Sequence, residues 1–489
     1  MTNKAFPRYI ILPLTFERLR KGQILLVNLV GEYIVLSDRD FHLFVDYELD
    51  RETDLYLRLK GKHFIAESLS DPAVDLLAIK YRTKKAFLYD FTSLHMFVIT
   101  QRCNQRCIYC QVSSQAENQK GLDMTIEVAK KAVDTALASP TRFLKIEFQG
   151  GEPLLNFETV KYIIEYTRQH PASEGKDVEF VLCTNLTLVT DEILKYLSER
   201  DVFLSISLDG PKHVHDFNRR FQDGRACYKT VIDALERAKR FIPMENISAL
   251  MTATKYSLDY PREIVDEYLR HGFSSLFVRP LNPFGYARRI TEQIGYSAKD
   301  FIRFYKNILE YLIDVNRKGV FVEEAFTSLL LTRILTPYST SFVDLQFPSG
   351  TGISGVAYGH DGNVYLSDES RMLAQEGDYT FCAGNVLFDT FKDIFYNEKL
   401  TDLVSKTLPE ALPGCCDCAF QIYCGIDPVR NYSIYHDIVG HRPTDQFCEI
   451  HKGIFRYLFD SVLKNERETM DVFWSWITHQ SLSERKNTD

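Results

Sequence analysis

Three cysteines stand close together at the end of an apolar segment. Cys103, Cys107 and Cys110 are separated by three and by two residues, directly after the apolar residues 94–99. Three thiolates on one short loop, here called the loop cysteines, can bind three irons of a cubane iron–sulfur cluster and leave the fourth iron without a protein ligand. Because that iron can take an outside ligand, such a cluster can act as a reagent and not only as an electron carrier.

Zinc is the alternative occupant of this loop. Structural zinc usually has four ligands, often supplied as two C-x2-C pairs. No histidine or fourth cysteine follows the loop cysteines nearby. The triplet therefore favours an iron–sulfur cluster over zinc.

The spacing of the loop cysteines, with Tyr109 directly before the last of them, resembles the radical S-adenosylmethionine (SAM) superfamily. In that family the open iron of a [4Fe-4S] cluster chelates the methionine end of SAM. One electron from the cluster then cleaves SAM to a 5'-deoxyadenosyl radical, which abstracts hydrogen from a substrate. The resemblance implies a [4Fe-4S] cluster and SAM as cofactors, and it places Tyr109 in the SAM site.

A second motif, Gly150-Gly151-Glu152-Pro153, follows the apolar residues 143–148. Paired glycines let the backbone come close to a ligand, and a glutamate can accept a hydrogen bond from an ammonium. A tight strand-to-helix turn is the alternative reason for such a sequence. The superfamily has the same Gly-Gly-Glu-Pro after its second strand, which implies that Gly150, Gly151 and Glu152 bind the methionine amino group.

Further SAM contacts are implied by the resemblance. Asn185 and Ser207 stand at the ends of two later apolar segments, and the second segment alternates hydroxyl and aliphatic side chains, which predicts a polar face toward a barrel lumen. Residues 215–220 match the family's His-Asp-x-x-Arg, which makes Arg219 the candidate for the SAM carboxylate. The adjacent Arg220 is the alternative.

Four other residues near these segments have less specific interpretations. Thr254 and Arg279 follow or end later predicted strands and are additional candidates for ligand contacts. An arginine at a strand end is a surface charge as often as it is a ligand. Cys183 and Cys227 are predicted to be small core residues, which is common for unpaired cysteine.

These residues need a scaffold that brings strand ends together. Strand and helix patterns alternate from residue 94 to about residue 318, and the predicted strands are 94–99, 143–148, 178–183, 202–208, 246–253 and 273–279. Residues 125–137 form an amphipathic helix between the first two strands. Six such units fit the α/β partial (β/α)6 barrel of the radical SAM family, in which the chemistry lies at the C-terminal ends of the strands.

Residues 1–90 precede the barrel as a small module. Residues 23–36 are predicted to be a hairpin that turns near Gly31, and helices are predicted after Ser37 and over residues 53–59, with a strand at 64–65. This order resembles the winged-helix elements that hold leader peptides by adding a strand to a sheet edge. A module that only covers one end of the barrel is the alternative.

A second group of cysteines, here called the auxiliary cysteines, comprises Cys415, Cys418, Cys424 and Cys448. Four thiolates can close a second iron–sulfur cluster or hold zinc. The spacing resembles the SPASM extension of radical SAM peptide-modifying enzymes, in which additional cysteines form two auxiliary clusters.

The chain departs from the SPASM pattern at three positions. The predicted hairpin at 356–366 has the expected shape, but Ser349 before it and Ser367 directly after it stand at the positions of two expected cysteines, and Pro428 replaces a third. The missing ligands are those of one cluster, so the resemblance implies a single auxiliary [4Fe-4S] cluster. Cys382 and Cys416 are left over and are either spare thiols or alternative ligands.

Asp368 matches the position of the catalytic base in sulfatase-maturing members of the family. It follows Ser367, where an expected cysteine is lost. An exposed loop aspartate is the alternative interpretation.

The length, composition and net charge of the chain limit the class of protein to which it can belong. The chain has 489 residues, 45% of them hydrophobic, a net charge of -8 and no apolar run that could span a bilayer. The negative charge argues against a nucleic acid as the partner. The first seven residues lack the features of a signal peptide, so a cytoplasmic location is predicted. Eleven cysteines, clustered as here, point to metal or cluster binding in such a chain.

Over its whole length the chain resembles the radical SAM maturases of His-Xaa-Ser peptide systems, including the opening Phe6-Pro7-Arg8-Tyr9 and the segment 447–455. This implies oxidative modification, by cross-linking or desaturation, of a small ribosomal precursor peptide, with a flavodoxin- or ferredoxin-type electron donor. The implied domains are residues 1–90, a barrel at 91–320, a linker at 321–344, a SPASM-like domain at 345–465 and a tail at 466–489.

Two other functions remain as alternatives. An anaerobic sulfatase-maturing enzyme would oxidise a serine or cysteine of a protein, but it normally has both auxiliary clusters. A non-enzymatic iron–sulfur or zinc protein would bind peptide or regulate expression through the N-terminal module. The Gly-Gly-Glu-Pro motif and the order of the barrel segments argue against the second alternative.

Overall fold

The computed structural model describes residues 9–89 and 91–486. Phe6, Pro7 and Arg8, which enter the family resemblance, lie outside the described residues. The same holds for the first seven residues, on which the signal-peptide prediction rests.

The N-terminal module combines a three-stranded antiparallel sheet with a two-stranded ladder and three helices. Its elements are β1 (Ile10–Ile11), β2 (Leu14–Arg20), β3 (Gln23–Asn28), β4 (Tyr33–Leu36), α1 (Asp38–Val45), α2 (Asp54–Gly61), β5 (Ile65–Ala66) and α3 (Pro72–Lys84). The sheet has the order β2-β3-β4, and β1 pairs with β5. The hairpin, both helices and the strand near residue 65 are confirmed, whereas β2 and α3 were not predicted.

The helix starts in this module follow from local chemistry. The side chains of Ser37 and Thr53 accept hydrogen bonds from the backbone N–H groups of Asp40 and Tyr56. Such caps satisfy N–H groups that have no partner inside the first helical turn. Gly31, with φ of +84°, makes the turn of the predicted hairpin.

A parallel sheet follows, and its strands are arranged in the order of the sequence. The strands of this region are β6 (Leu94–Thr100), β7 (Arg102–Cys103), β8 (Gln115–Ala116), β9 (Phe143–Gly150), β10 (Asp177–Thr184), β11 (Phe203–Ser207), β12 (Ile247–Thr252), β13 (Ser275–Arg279) and β14 (Glu323–Glu324). From β6 through β9 to β14, each strand pairs in parallel with the next. All six predicted strands are confirmed. The separate pair of β7 and β8 forms part of the loop that carries the loop cysteines.

Helices cross between these strands and cover one face of the sheet. They are α4 (Ile126–Leu137), α5 (Phe157–Gln169), α6 (Asp191–Ser198), α7 (Lys212–Asn218), α8 (Tyr228–Ala238), α9 (Pro261–Arg270), α10 (Gly285–Arg289), α11 (Thr291–Ile294) and α12 (Ala298–Arg317). The predicted helix α4 is confirmed and buries its apolar side chains. On β11, Leu204 and Ile206 are buried in the main core, while the serines between them face a central cavity. The predicted alternation is therefore confirmed.

The remaining chain extends the same sheet. Its elements are α13 (Ala325–Leu335), β15 (Gly355–Tyr358), β16 (Asn363–Tyr365), α14 (Asp368–Gln375), β17 (Cys382–Asn385), α15 (Phe391–Phe395), α16 (Glu398–Ser405), α17 (Pro428–Tyr435), α18 (Gln446–Lys464), α19 (Arg467–Thr478) and α20 (Leu482–Lys486). The predicted hairpin is β15 and β16. β15 also pairs in parallel with β6, so a ten-stranded sheet continues through barrel and hairpin.

One prediction for the C-terminus is wrong. The segment from residue 466 is not a tail, because α19 packs against α12 and α13 and buries Trp476 completely. Its apolar residues Val472, Phe473 and Trp476 recur at helical spacing and join the main core. Among the described helices, none combines the length and apolar character needed to cross a membrane.

Candidate active site

A cavity of about 1280 Å³ runs through the barrel and reaches the C-terminal ends of the parallel strands. Most of the predicted site residues line it, although they come from many separate segments. These residues are Cys103, Cys107, Tyr109, Cys110, Gly150, Gly151, Asn185, Ser207, Arg219, Arg279 and Asp368. Parallel strands place their ends at one edge of a sheet, which explains the convergence.

Backbone hydrogen bonds hold the loop of the loop cysteines against the neighbouring segments. The N–H groups of Arg106 and Ile108 donate to the carbonyls of Arg220 and Asn218, at 2.7 and 2.9 Å, and Cys110 accepts from Tyr286 at 2.9 Å. All three thiols are free of disulfides. Burial raises the pKa of Cys107 to about 12, with nearby Cys110 adding to the rise and Arg219 opposing it. The three thiols therefore share one confined environment.

The groups around the loop cysteines fit an iron–sulfur cluster. Gln105 is almost fully buried, its Nε2 has no hydrogen-bond partner, and its backbone N lies 3.4 Å from the Cys103 sulfur. Nδ2 of Asn185 and Nη1 of Arg219 each lie 3.9 Å from a cysteine sulfur. These donors would stabilise thiolates and cluster sulfurs. Within residues 9–89 and 91–486, no group of three or more His, Cys, Asp or Glu could hold a single metal ion.

A fully buried carboxylate orients Arg219. Asp209 accepts from Arg219 Nε at 3.1 Å and from the Tyr109 hydroxyl at 2.7 Å, and the guanidinium lies 5.2 Å from the Tyr109 ring. Arg219 lines the cavity, whereas Arg220 donates to the Asp216 carbonyl away from the cavity wall. The geometry therefore favours Arg219 of the two arginines. Asp209 was missed from the sequence; its signal was its position two residues after Ser207, just past the end of β11.

Glycine is required at positions 150 and 151 because the start of the loop that carries the loop cysteines passes very close to their backbone. A Cβ on Gly150 would lie 2.1 Å from the Thr100 carbonyl oxygen, and one on Gly151 would lie 2.2 Å from the Arg102 carbonyl oxygen. Gly150 also has φ of +141°, which disfavours other residues. Both glycines line the cavity, so their backbone groups remain candidates for ligand contacts.

Glu152, for which a direct ammonium contact was predicted, lies behind the cavity wall. Its carboxylate is fully buried and accepts from the Thr184 hydroxyl at 2.7 Å, and from the N–H groups of Leu154 and Asn185 at 3.1 and 2.8 Å. Burial raises the pKa of Glu152 to about 7, although these hydrogen bonds oppose the rise. Glu152 thus fixes the ends of β9 and β10 and positions Asn185.

Three less specific predictions can be compared with the structure. Thr254 is fully buried and its hydroxyl donates to Asn218 at 2.9 Å, so it does not face the cavity. Cys227 is a core residue, as predicted. Cys183 is not, because it lines the cavity and its thiol donates to Glu147 at 3.1 Å. Its position on β10 directs the side chain into the barrel.

Four carboxyl groups and one arginine form a second group of charged side chains on the cavity wall. Asp368 and Glu369 open helix α14, which Ser367 caps, and Arg279 lies 3.7 Å from Glu369. Asp344 and Asp427 also belong to this group. Burial raises the pKa of Glu369 to about 8, and the neighbouring carboxylates add to the rise while Arg279 opposes it. The alternative of an exposed loop aspartate at 368 is wrong, because Asp368 is helical and only 13% exposed.

The auxiliary cysteines come together outside the cavity wall. Cys415, Cys418 and Cys424 lie between α16 and α17, and Cys448 is in α18. Burial raises the pKa of Cys448 to about 11, and nearby Cys418 and Cys415 add to the rise while Lys452 opposes it. For Cys424, burial and then the other three auxiliary thiols raise the pKa. Nε of Arg442 lies 3.1 Å from the Cys415 sulfur. Four convergent thiols with nearby cations fit a second cluster.

The leftover cysteines have other surroundings. Cys382 lies in β17 with its sulfur 3.6 Å from the Gly384 carbonyl, and Cys416 lies beside the Asp417 carboxylate at 3.5 Å. The residues that replace the expected cysteines also have structural roles. Ser349 donates to the Thr351 hydroxyl, Ser367 caps α14, and Pro428 is the first residue of α17.

Residues 97–268 match the radical SAM superfamily. A cysteine-type anaerobic sulfatase-maturating enzyme of Clostridium perfringens is 25% identical over 371 residues, which cover 74% of this chain and 94% of that protein. An uncharacterized protein of Methanocaldococcus jannaschii is 30% identical over 185 residues, and the match covers 38% of this chain and 61% of that protein.

Solved structures show the same fold. The enzyme anSMEcpe, with bound AdoMet and Kp18Cys peptide, aligns with a TM-score of 0.64 and 22% identity over 76% of this chain and 98% of that chain. SuiB of Streptococcus suis, bound to its precursor peptide SuiA, aligns with a TM-score of 0.53 and 15% identity over 90% and 99% of the two chains. The chain therefore has the radical SAM α/β fold, and its residues 97–268 are similar to the radical SAM superfamily.

Proposed function

We propose that this chain is a radical SAM enzyme that reductively cleaves SAM and oxidatively modifies a ribosomally synthesised peptide, by cross-linking or desaturation. One observation carries the proposal. The loop cysteines, the arginine fixed by Asp209 and the carboxyl groups of α14 line one cavity, although they are far apart in sequence. A cavity that combines cluster ligands with proton-accepting groups suits the oxidation of a substrate held between them.

The loop cysteines would hold a [4Fe-4S] cluster, and Tyr109, Gly150, Gly151, Asn185, Ser207 and Arg219 would bind SAM. When bound, cluster and SAM together supply a one-electron route to remove hydrogen from an unactivated carbon. The residues of the chain itself orient SAM and shield the site from water. Asp209 and Tyr109 hold the Arg219 guanidinium in place for a carboxylate, and the backbone of Gly150 and Gly151 offers groups for an ammonium.

The auxiliary cysteines would hold one further [4Fe-4S] cluster. Oxidation of a peptide by two hydrogens requires that a second electron leave the substrate, and a second cluster is a suitable acceptor. Phe447, which precedes Cys448, lines the cavity, and its ring is tilted against the ring of His451 at a centroid distance of 4.0 Å. Residues next to an auxiliary ligand therefore form part of the substrate chamber.

A peptide substrate is supported by the relatives. SuiB is described with a precursor peptide, anSMEcpe with a peptide, and a further relative of Paramaledivibacter caminithermalis, 24% identical over 234 residues, as a radical SAM cyclopropyl synthase. We further propose a barrel at residues 91–320, a linker at 321–344 and a SPASM-like domain at 345–465, preceded by residues 1–90, which bind a leader peptide or, alternatively, cap the barrel. A low-potential flavodoxin or ferredoxin would supply electrons in the cytoplasm.

The test is anaerobic co-expression of the chain with a small His-Xaa-Ser-rich peptide from its genome neighbourhood. The peptide should lose the mass of two hydrogens with the native chain and with Cys416→Ala, but not with Cys107→Ala. Cys416→Ala is the matched control because that cysteine lies outside both proposed ligand sets. If 5'-deoxyadenosine is released but the mass of the peptide is unchanged, the proposed cleavage of SAM stands and the proposed peptide substrate is rejected.

Sulfatase maturation is the second candidate. The similarity to the Clostridium perfringens enzyme extends over 94% of that protein, and Asp368 lines the cavity. The serines at 349 and 367 and Pro428 count against it, because these positions lack the cysteines of a second auxiliary cluster. An aldehyde formed on a serine- or cysteine-containing sulfatase peptide, trapped with a hydrazide, would favour this candidate. Failure to release 5'-deoxyadenosine under reducing conditions would favour a non-enzymatic role.

A further inference from the structure

Two adjacent carboxyl groups on the cavity wall, those of Asp368 and Glu369, differ in their contacts with the protein. Oδ1 of Asp368 accepts from Arg371 Nε at 2.8 Å and also from its Nη2, and the Arg371 side chain is only 3% exposed. Loss of this contact would leave the buried guanidinium unpaired, which is strongly unfavourable in a protein interior. The Asp368 carboxylate is therefore already engaged in an ion pair within the protein.

Glu369, the next residue, has no such partner. Over residues 9–89 and 91–486, no hydrogen bond to its carboxylate is formed, and its one ion pair, to Arg279, is long at 3.7 Å. Its side chain is 16% exposed and lines the same cavity as the loop cysteines. A free carboxylate in this position can approach a substrate without first breaking a protein contact.

The charges that face Glu369 set its proton affinity. Burial raises its pKa to about 8, and Asp427, Asp344 and Asp368 add to the rise, whereas Arg279 lowers it. These groups come from four different segments: the N-terminus of α17, the turn before residue 346, helix α14 itself and strand β13. A base is most effective when its pKa is close to the working pH.

We infer that Glu369, rather than Asp368, accepts the proton that the substrate releases during its oxidation. The inference rests on the proposed function. After one hydrogen atom has been abstracted, the second hydrogen leaves as a proton and an electron while the new bond of the product forms. The electron passes to a one-electron acceptor of the iron–sulfur class. The proton passes to the Glu369 carboxylate, which becomes a neutral acid and later returns the proton to water.

The test compares Glu369→Gln with Asp368→Asn in anaerobically reconstituted full-length enzyme. The readout is the ratio of modified peptide to released 5'-deoxyadenosine, which is independent of the fraction of folded protein. Glu369→Gln should lower this ratio by about 100-fold, because a positioned base typically contributes about 10²- to 10⁴-fold. Asp368→Asn should lower it by less than about tenfold, despite lower stability. Glu376→Gln, at the residue directly after the same helix and off the cavity wall, is the matched control and should leave the ratio unchanged.

The pH profile gives a second readout. Modification by the native enzyme should rise with pH through about 8, since Glu369 must be deprotonated to act. Asp344→Asn removes a neighbouring negative charge and should move this rise to lower pH, and Glu369→Asp should restore part of the activity. An unchanged ratio and profile in Glu369→Gln would overturn the inference alone. A native enzyme that cleaves SAM without modifying the peptide would instead reject the proposed function, and the inference with it.

Discussion

The buried pair of Asp209 and Arg219 gives the sharpest test of how the cavity is built. Asp209 is fully buried and Arg219 is 8% exposed, with 3.1 Å between Oδ2 and Nε. The Thr252 N–H and the Tyr109 hydroxyl donate to the same carboxylate. Asp209→Asn removes the charge but keeps the shape, and it leaves the guanidinium unpaired. Breaking a buried ion pair from one side costs about 3–5 kcal/mol.

The assay is native-state hydrogen exchange followed by mass spectrometry on peptides that contain β11 and β12. A loss of about 3 kcal/mol corresponds to a more than 100-fold rise in exchange where local opening controls it, because about 1.4 kcal/mol is a factor of ten. Peptides from α19, which packs elsewhere, report whether the whole chain has loosened. Asp266→Asn is the matched control, since Asp266 also accepts from a tyrosine hydroxyl, that of Tyr311, but in an exposed setting.

The control should change the stability by less than about 0.5 kcal/mol, as is usual for surface substitutions. Equal exchange rates for β11 and β12 in native protein and in Asp209→Asn would refute the reasoning. That result would mean that the carboxylate does not hold Arg219. A double variant that also replaces Arg219 with leucine should cost less than the sum of the single changes, because no unpaired charge is left.

Three further predictions concern the clusters and the strand ends. Replacing all loop cysteines with alanine should leave about four irons per chain by elemental analysis, held by the auxiliary cysteines, and an iron-free protein would contradict the second cluster. Because the pKa of Glu152 is raised to about 7, its carboxyl group favours the folded state less as pH rises from 4.5 to 7. Over that range Glu152→Gln should remove up to about 3 kcal/mol of pH dependence in the free energy of unfolding measured in urea, and an unchanged pH dependence would contradict this. Gly150→Ala should prevent stable folding because its Cβ would lie 2.1 Å from a carbonyl oxygen, whereas Gly175→Ala, with positive φ but open space, should cost only about 1 kcal/mol in thermal unfolding.

Local sequence patterns predicted much of the architecture. The six parallel strands, the helix predicted at 125–137, the N-terminal hairpin, the capped helix after Ser37 and the short helix predicted at 53–59 all followed from periodicity and local signals. These features depend on interactions between neighbours in sequence, so a single chain is enough to reveal them. Helix α19 was missed because it lies after the last predicted strand, and because the helices that cover its apolar face, α12 and α13, are distant in sequence.

The sequence by itself determined which residue types are present for the chemistry: the spacing of the loop cysteines, the auxiliary cysteines and the paired glycines. Only the tertiary structure decided which of the remaining residues face the cavity. In the folded chain Glu152 lies behind the cavity wall and Cys183 faces into the barrel. Asp209 forms an ion pair with Arg219. Asp368 forms an ion pair with Arg371, whereas the adjacent Glu369 does not. The reason is physical, since exposure, pairing and proton affinity depend on groups that are remote in the chain and meet only in the folded protein.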